Sequence, residues 1–167
     1  PIGIWLLLWP TLWALWLAGS GKPDEGLFLV FVLGVVVMRS AGCVLNDFVD
    51  RKIDPYVERT RSRPIASGAV APMEALILFT ALSLIAIGLA TMLNTAAQML
   101  AIVAAVLTVA YPFVKRFLSI PQFILGAAFG WAVPMAFAAQ TGETPELAWL
   151  LFGTAMIWAV IYDTFYA

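Results

Sequence analysis

Three aspartates, an asparagine and two cations fall within nine residues, Asn46-Asp47-Phe48-Val49-Asp50-Arg51-Lys52-Ile53-Asp54. Side chains four apart on a helix share one face, so Asn46, Asp50 and Asp54 are expected to line up, with Asp47 beside them. Pro55 disfavours helical geometry at the residue before it, so the helix is expected to end at Asp54. Acids there meet the negative end of the helix dipole, and acids one turn apart repel each other. A divalent cation reverses both effects. Oxygen donors without His or Cys suit Mg²⁺, which is often held by one or two carboxylates together with phosphate oxygens. The chemistry expected is a Mg²⁺–diphosphate site. The same residues also suit a solvated loop in which Arg51 and Lys52 pair the aspartates, an arrangement worth little energy.

Arg59-Thr60-Arg61-Ser62-Arg63-Pro64 follows closely. Three arginines in five residues suit bidentate binding of phosphate oxygens, and equally a patch that meets lipid headgroups. Lys115-Arg116 offers a second anion clamp, suited to a carboxylate, or a plain positive anchor at a membrane surface. Tyr162-Asp163-Thr164-Phe165-Tyr166 offers a second polar cluster that would face the first.

These residues must be positioned by apolar segments. Of 167 residues, 63% are hydrophobic and 11% charged, which is far from a soluble domain. Six runs near the length of a membrane span cover residues 2–18, 27–45, 72–93, 96–114, 121–139 and 147–167. The second carries one charge, Arg39, and the sixth only Asp163. Glu74 opens the third, where a helix N-terminus favours an acid. Pro134 sits inside the fifth, as spans tolerate when neighbouring helices satisfy the freed carbonyl. Gly126-Ala127-Ala128-Phe129-Gly130 would allow close helix contact, or be plain packing.

The connections alternate in charge. Arg51, Lys52, Arg59, Arg61, Arg63, Lys115 and Arg116 fall on one side, and Lys22 alone among the cations on the other. The positive-inside rule places the basic loops, with all the unusual polar chemistry, in the cytoplasm. A net charge of −1 points to no partner, and no nucleic-acid partner is expected. The chain has no His, which excludes histidine metal ligands and a histidine base, and a single Cys43, which excludes an internal disulfide. Its first run lacks the flanks of a signal peptide. No soluble domain boundary or internal repeat is visible. Residues 1–167 read as one membrane domain, expected to be incomplete at the C-terminus and at the N-terminus.

The motif resembles the first aspartate motif of the UbiA superfamily of intramembrane prenyltransferases, Asn-Asp-x-x-Asp-x-x-x-Asp, matched by Asn46, Asp47, Asp50 and Asp54. Further stretches are similar to one branch, the bacterial 4-hydroxybenzoate polyprenyltransferases. Among them are Pro1-Ile2-Gly3, Leu6 to Trp16, Ala41-Gly42-Cys43-Val44, Arg63-Pro64, Ser67-Gly68-Ala69-Val70, Tyr111-Pro112-Phe113, Gly126 to Trp131, Pro134 to Ala138 and Tyr162-Asp163-Thr164. The resemblance implies an all-α, polytopic transmembrane bundle of nine spans, six of them here. It implies Mg²⁺-dependent transfer of a polyprenyl group from its diphosphate to the ring of 4-hydroxybenzoate, in ubiquinone synthesis. Asn46, Asp47, Asp50 and Asp54 would hold metal, with Asp50, Asp54 and Arg51 catalytic. Lys52, Arg59 and Arg63 would take the diphosphate, Arg116 the benzoate carboxylate, and Tyr162 and Asp163 would belong to the opposing cluster. The implied location is the bacterial, or mitochondrial, inner membrane, with the site on the cytoplasmic side. The further aspartates of the family's second motif do not follow Asp163 within these residues, so this piece alone is expected to be inactive.

Two other readings compete. Menaquinone, haem O and chlorophyll-type prenyltransferases share the aspartate motif and differ in acceptor. A transporter would use the acids as an ion site, but such sites lie near the midplane of repeated halves, and these acids sit at a span end.

Overall fold

The computed structural model describes residues 2–166. Pro1 and Ala167, which the first matched stretch and the sixth run include, lie outside the described residues, as does the Tyr166 side chain. The described residues are helical, with no strand among them. Seven helices follow in order: α1 (Ile2–Ala18), α2 (Glu25–Asp50), α3 (Pro72–Ala90), α4 (Thr95–Val114), α5 (Gln122–Gly130), α6 (Ala132–Thr141) and α7 (Glu146–Tyr166). Taken with α5 and α6 as one segment, five helices are long and apolar enough to cross a membrane, and α1 is a shorter apolar helix. The helices fall on the six apolar runs of the sequence, and five of the six reach span length.

The fifth segment is not continuous, and the reason lies in its sequence. Pro134 has no N–H to donate, and its ring crowds the carbonyl four residues back, at Gly130. The helix breaks at Trp131, between α5 and α6. Trp131 stitches the break to its neighbours. Its Nε1 donates to the Leu100 carbonyl on α4 at 2.9 Å, and its ring meets Trp149 and Phe152 of α7 edge-on. A Cβ added at Gly126 would lie 2.6 Å from the Met156 carbonyl, and one at Gly130 would lie 3.0 Å from the Phe152 ring. Of the two readings of this glycine pair, close contact is the one realised: α5 lies backbone-near on α7.

Three short turns close one end of the bundle. Asp24 caps α2, its carboxylate accepting from the Leu27 N–H at 2.8 Å. Asn94 caps α4 and also donates to the carbonyls of Ala138 and Ala139 at 2.7 and 3.1 Å. Gly142, at φ 81°, takes the left-handed conformation that ends α6. Glu74 accepts from the Ala71 N–H at 2.8 Å, as an acid at the start of α3 should. The main apolar cluster gathers Ala14, Leu15, Phe31, Ala97, Val133 and Phe137 around α6. Those residues lie in the half of the bundle nearest the short turns. Large apolar side chains elsewhere, including Trp5, Trp9, Trp13 and Trp16 along α1, face outward, as lipid permits.

Candidate active site

The motif lies at the opposite end, where α2 runs into residues 51–71. The helix ends at Asp50, one turn before the end expected from Pro55, and a single 3₁₀ turn follows at Asp54–Tyr56. The physical cause is local and tertiary together. Proline at position 55 leaves no N–H for the Arg51 carbonyl, and Asp54 is drawn aside by later residues of the same loop. Thr60 Oγ1 donates to the Asp54 carbonyl at 3.1 Å, and Arg63 Nη1 donates to its carboxylate at 3.1 Å. Asn46, Asp50 and Asp54 therefore do not form one continuous helical face.

The four motif residues instead divide into two pairs, one met by Arg63 and the other by Lys115 and Arg116. Arg63 Nη1 bridges Asp47, at 3.0 Å, and Asp54. Lys115, just past the end of α4, donates from Nζ to Asn46 Oδ1 at 2.6 Å and to Asp50 Oδ2 at 2.5 Å. Arg116 donates from Nη2 to Asp50 Oδ1 at 3.1 Å and to the Val49 carbonyl at 2.9 Å. Asp50 and Asp54 are 8% and 5% exposed, low for carboxylates unless paired. The alternative in which Arg51 and Lys52 pair the aspartates is not the arrangement found. Arg51 donates to the Phe48 carbonyl at 2.6 Å and stacks over the Phe48 ring, while Lys52 is exposed. Arg59 is also exposed, and Arg61 pairs loosely with Glu58 at 4.0 Å. Of the three loop arginines, only Arg63 joins the cluster.

Two further basic residues stand out, one from the Lys115-Arg116 clamp and one to which the sequence assigned no role. Lys115 makes the shortest contact to the motif. Arg39 is the other. It lies seven residues before Asn46, two turns down the same face of α2, and its Cζ is 5.7 Å from the Phe129 ring centroid. Its Nη1 donates to Cys43 Sγ at 2.8 Å, and its Nε is buried without a hydrogen-bond partner. Gly3 makes room for it, because a Cβ there would come within 2.4 Å of Nε. Its sequence signal was a lone charge in an apolar run, which is costly in a membrane and marks function. Asp163 lies in the last turn of α7 and is half-buried. Tyr162 packs tilted against Trp158, with ring centroids 6.2 Å apart.

No three acids converge to hold a metal by themselves among the described residues. The donors present are nonetheless of the right kind for Mg²⁺. They are hard oxygens, two carboxylates at most to a group, which suits an ion that completes its shell with water and phosphate.

Fold and cluster together define an integral membrane protein with opposed charges gathered at one end of its bundle. The chain belongs to the UbiA prenyltransferase family, whose model matches residues 7–167. It is 60% identical to the 4-hydroxybenzoate octaprenyltransferase of Nitrosococcus oceani, over 99% of this chain and 58% of that protein. It is 58% identical to the protein of the same name from Methylococcus capsulatus, over 100% of this chain and 57% of that one. The chain thus spans somewhat under three-fifths of these curated relatives. The apo structure of a UbiA homolog from Aeropyrum pernix K1 superposes with a TM-score of 0.84 at 28% identity, covering 98% of this chain and 62% of that one.

Proposed function

We propose that the protein carrying this chain transfers a polyprenyl group from polyprenyl diphosphate to the ring of 4-hydroxybenzoate, with Mg²⁺, in ubiquinone synthesis. The observation that carries this reading is the convergence of Arg63, Lys115 and Arg116, from two separate loops, on the four oxygen-bearing residues of one motif. The names of the close relatives support the acceptor. The site is assigned to the cytoplasmic face of the inner membrane because seven of the loop cations lie on this side.

Asn46, Asp47, Asp50 and Asp54 would hold the metal, which when bound would stabilise the charge that grows on the departing diphosphate. Arg63 and Lys115 bind phosphate oxygens and share that task, since charge-assisted bonds strengthen as the leaving group gains charge. The bond between the allylic carbon and oxygen breaks, with its electron pair leaving on the diphosphate. The ring carbon beside the hydroxyl of 4-hydroxybenzoate forms the new carbon–carbon bond, and loss of its proton restores aromaticity. The bundle excludes water from the allylic cation. Arg39 is a second candidate, beside Arg116, for the benzoate carboxylate. Arg116 Nη2 is engaged by Asp50 and Val49, whereas Arg39 has a buried N–H to offer.

The test is to reconstitute the full-length protein in nanodiscs and supply polyprenyl diphosphate, 4-hydroxybenzoate and Mg²⁺. A 3-polyprenyl product that needs all three supports the reading. Diphosphate release with other acceptors, and none with 4-hydroxybenzoate, would move the protein to another branch.

A further inference from the structure

The two halves of the cluster carry opposite charge. At Asn46 and Asp50, two cations meet one carboxylate, which leaves one positive charge in excess. At Asp47 and Asp54, one cation meets two carboxylates, which leaves one negative charge in excess. Arg51, the next cation along the chain, is turned onto Phe48 and corrects neither imbalance. The ammonium of Lys115 also sits where a hard cation would sit. It lies 2.5 and 2.6 Å from two oxygens that project one turn apart from α2.

We propose that Lys115 is a resident cation that closes Asn46 and Asp50 to a metal until a diphosphate draws its ammonium away, so that metal and diphosphate bind cooperatively. The inference rests on the diphosphate reading above. Asp47 and Asp54, under-neutralised, are the half open to a divalent cation beforehand, with only Arg63 to displace. Lys115 and Arg116, in excess, are the half open to an anion. When phosphate oxygens draw Lys115 away, Asp50 keeps only its longer bond to Arg116 in a desolvated place, and a divalent cation becomes a favourable partner. Neither ion then fills the whole site well alone. Coupling of this kind is reciprocal: whatever factor the diphosphate adds to metal affinity, the metal adds to diphosphate affinity.

The experiment measures Mn²⁺ affinity by the loss of its free electron paramagnetic resonance signal. The full-length protein in lipid nanodiscs is titrated with and without methylene diphosphonate, an anionic diphosphate mimic with no allylic group to release, and the Mn²⁺ that the diphosphonate binds without protein is measured separately and subtracted. In the wild type, the diphosphonate should tighten Mn²⁺ about tenfold or more, within the usual range for coupled sites. Lys115→Met should tighten Mn²⁺ about fivefold or more without any diphosphonate, and the coupling should shrink. That gain should vanish in Lys115→Met/Asp50→Asn, which places it at Asp50. Lys115→Arg, which keeps the charge, should resemble the wild type. Should Lys115→Met fail to insert, Arg116→Gln carries the test with a gain of about two- to threefold, since its bond to Asp50 is longer and more exposed. If the available neutral variant leaves Mn²⁺ affinity unchanged while the diphosphonate still tightens it in the wild type, the resident-cation proposal is overturned and the diphosphate reading stands. If the diphosphonate has no effect on Mn²⁺ in the wild type, both fall.

Discussion

The two ends of the bundle are both polar, but they use their polar groups differently. At the end of the short turns, Asp24 and Asn94 satisfy the free N–H groups that open α2 and α4. Asn94 also ties α4 to α6 through two carbonyls, and Gln140 accepts from the Asp24 N–H at 3.3 Å. Each of these bonds answers a need of the backbone, since a helix end leaves groups that must find partners. At the motif end Glu74 caps α3, but the carboxylates of the motif cap nothing. Asp50 pairs with residues 65 and 66 positions away, and Asp54 with one 9 positions away. Buried ion pairs are weak contributors to stability, because desolvation offsets their attraction. Polar groups that the backbone requires mark architecture. Charged groups gathered without such a requirement mark the candidate site.

That contrast breaks most sharply under substitution of the acids. In the full-length protein, Asp50→Ala or Asp54→Ala should lower turnover by about 100-fold or more, equivalent to roughly 3 kcal/mol of transition-state stabilisation. Membrane insertion should be unchanged. Turnover near that of the wild type at limiting Mg²⁺ would remove these residues from the chemistry.

Smaller effects should separate the cations from one another. Arg63→Ala should raise the KM for the prenyl diphosphate about tenfold, as loss of a charge-assisted bond of roughly 1.5–3 kcal/mol predicts. Arg39→Met and Arg116→Ala should be compared in the Michaelis constant for the aromatic acid. A rise in the first alone assigns the carboxylate to Arg39, and a rise in the second alone assigns it to Arg116.

The capping end should respond in stability and not in substrate use. Asn94→Ala loses an N-cap and two bonds to α6, and should cost about 1–2 kcal/mol, read as a lower Tm in detergent. Asp24→Ala should cost about 1 kcal/mol, the smallest effect of the set. Neither should alter KM for either substrate by more than about twofold, which corresponds to a few tenths of a kcal/mol. A selective change in KM at Asn94 would show that the two ends are not as separate as their hydrogen bonds imply.

Much of the architecture was legible in the chain. Run length and composition gave the apolar segments, because both are properties of a residue and its near neighbours. The motif was legible as a metal-type donor set for the same reason. Pro134 was visible as a proline within a span, but the partners that Trp131 finds at the break, Leu100, Trp149 and Phe152, were not. The glycines at 126 and 130 announced a close contact without naming α7 as the partner.

The composition and order of the residues by themselves determined a membrane helix bundle with carboxylates and arginines at one face. Only the tertiary structure decided how those charges pair. It ended α2 at Asp50, turned Arg51 onto its own helix, left Lys52 and Arg59 in the open, and brought Lys115 and Arg63 onto different halves of the motif. The physical reason is range. Helix formation and membrane partitioning sum over neighbours, so sequence encodes them almost directly. An ion pair depends on the distance between two side chains in space, and that is set by where residues 51–71 and the end of α4 come to rest.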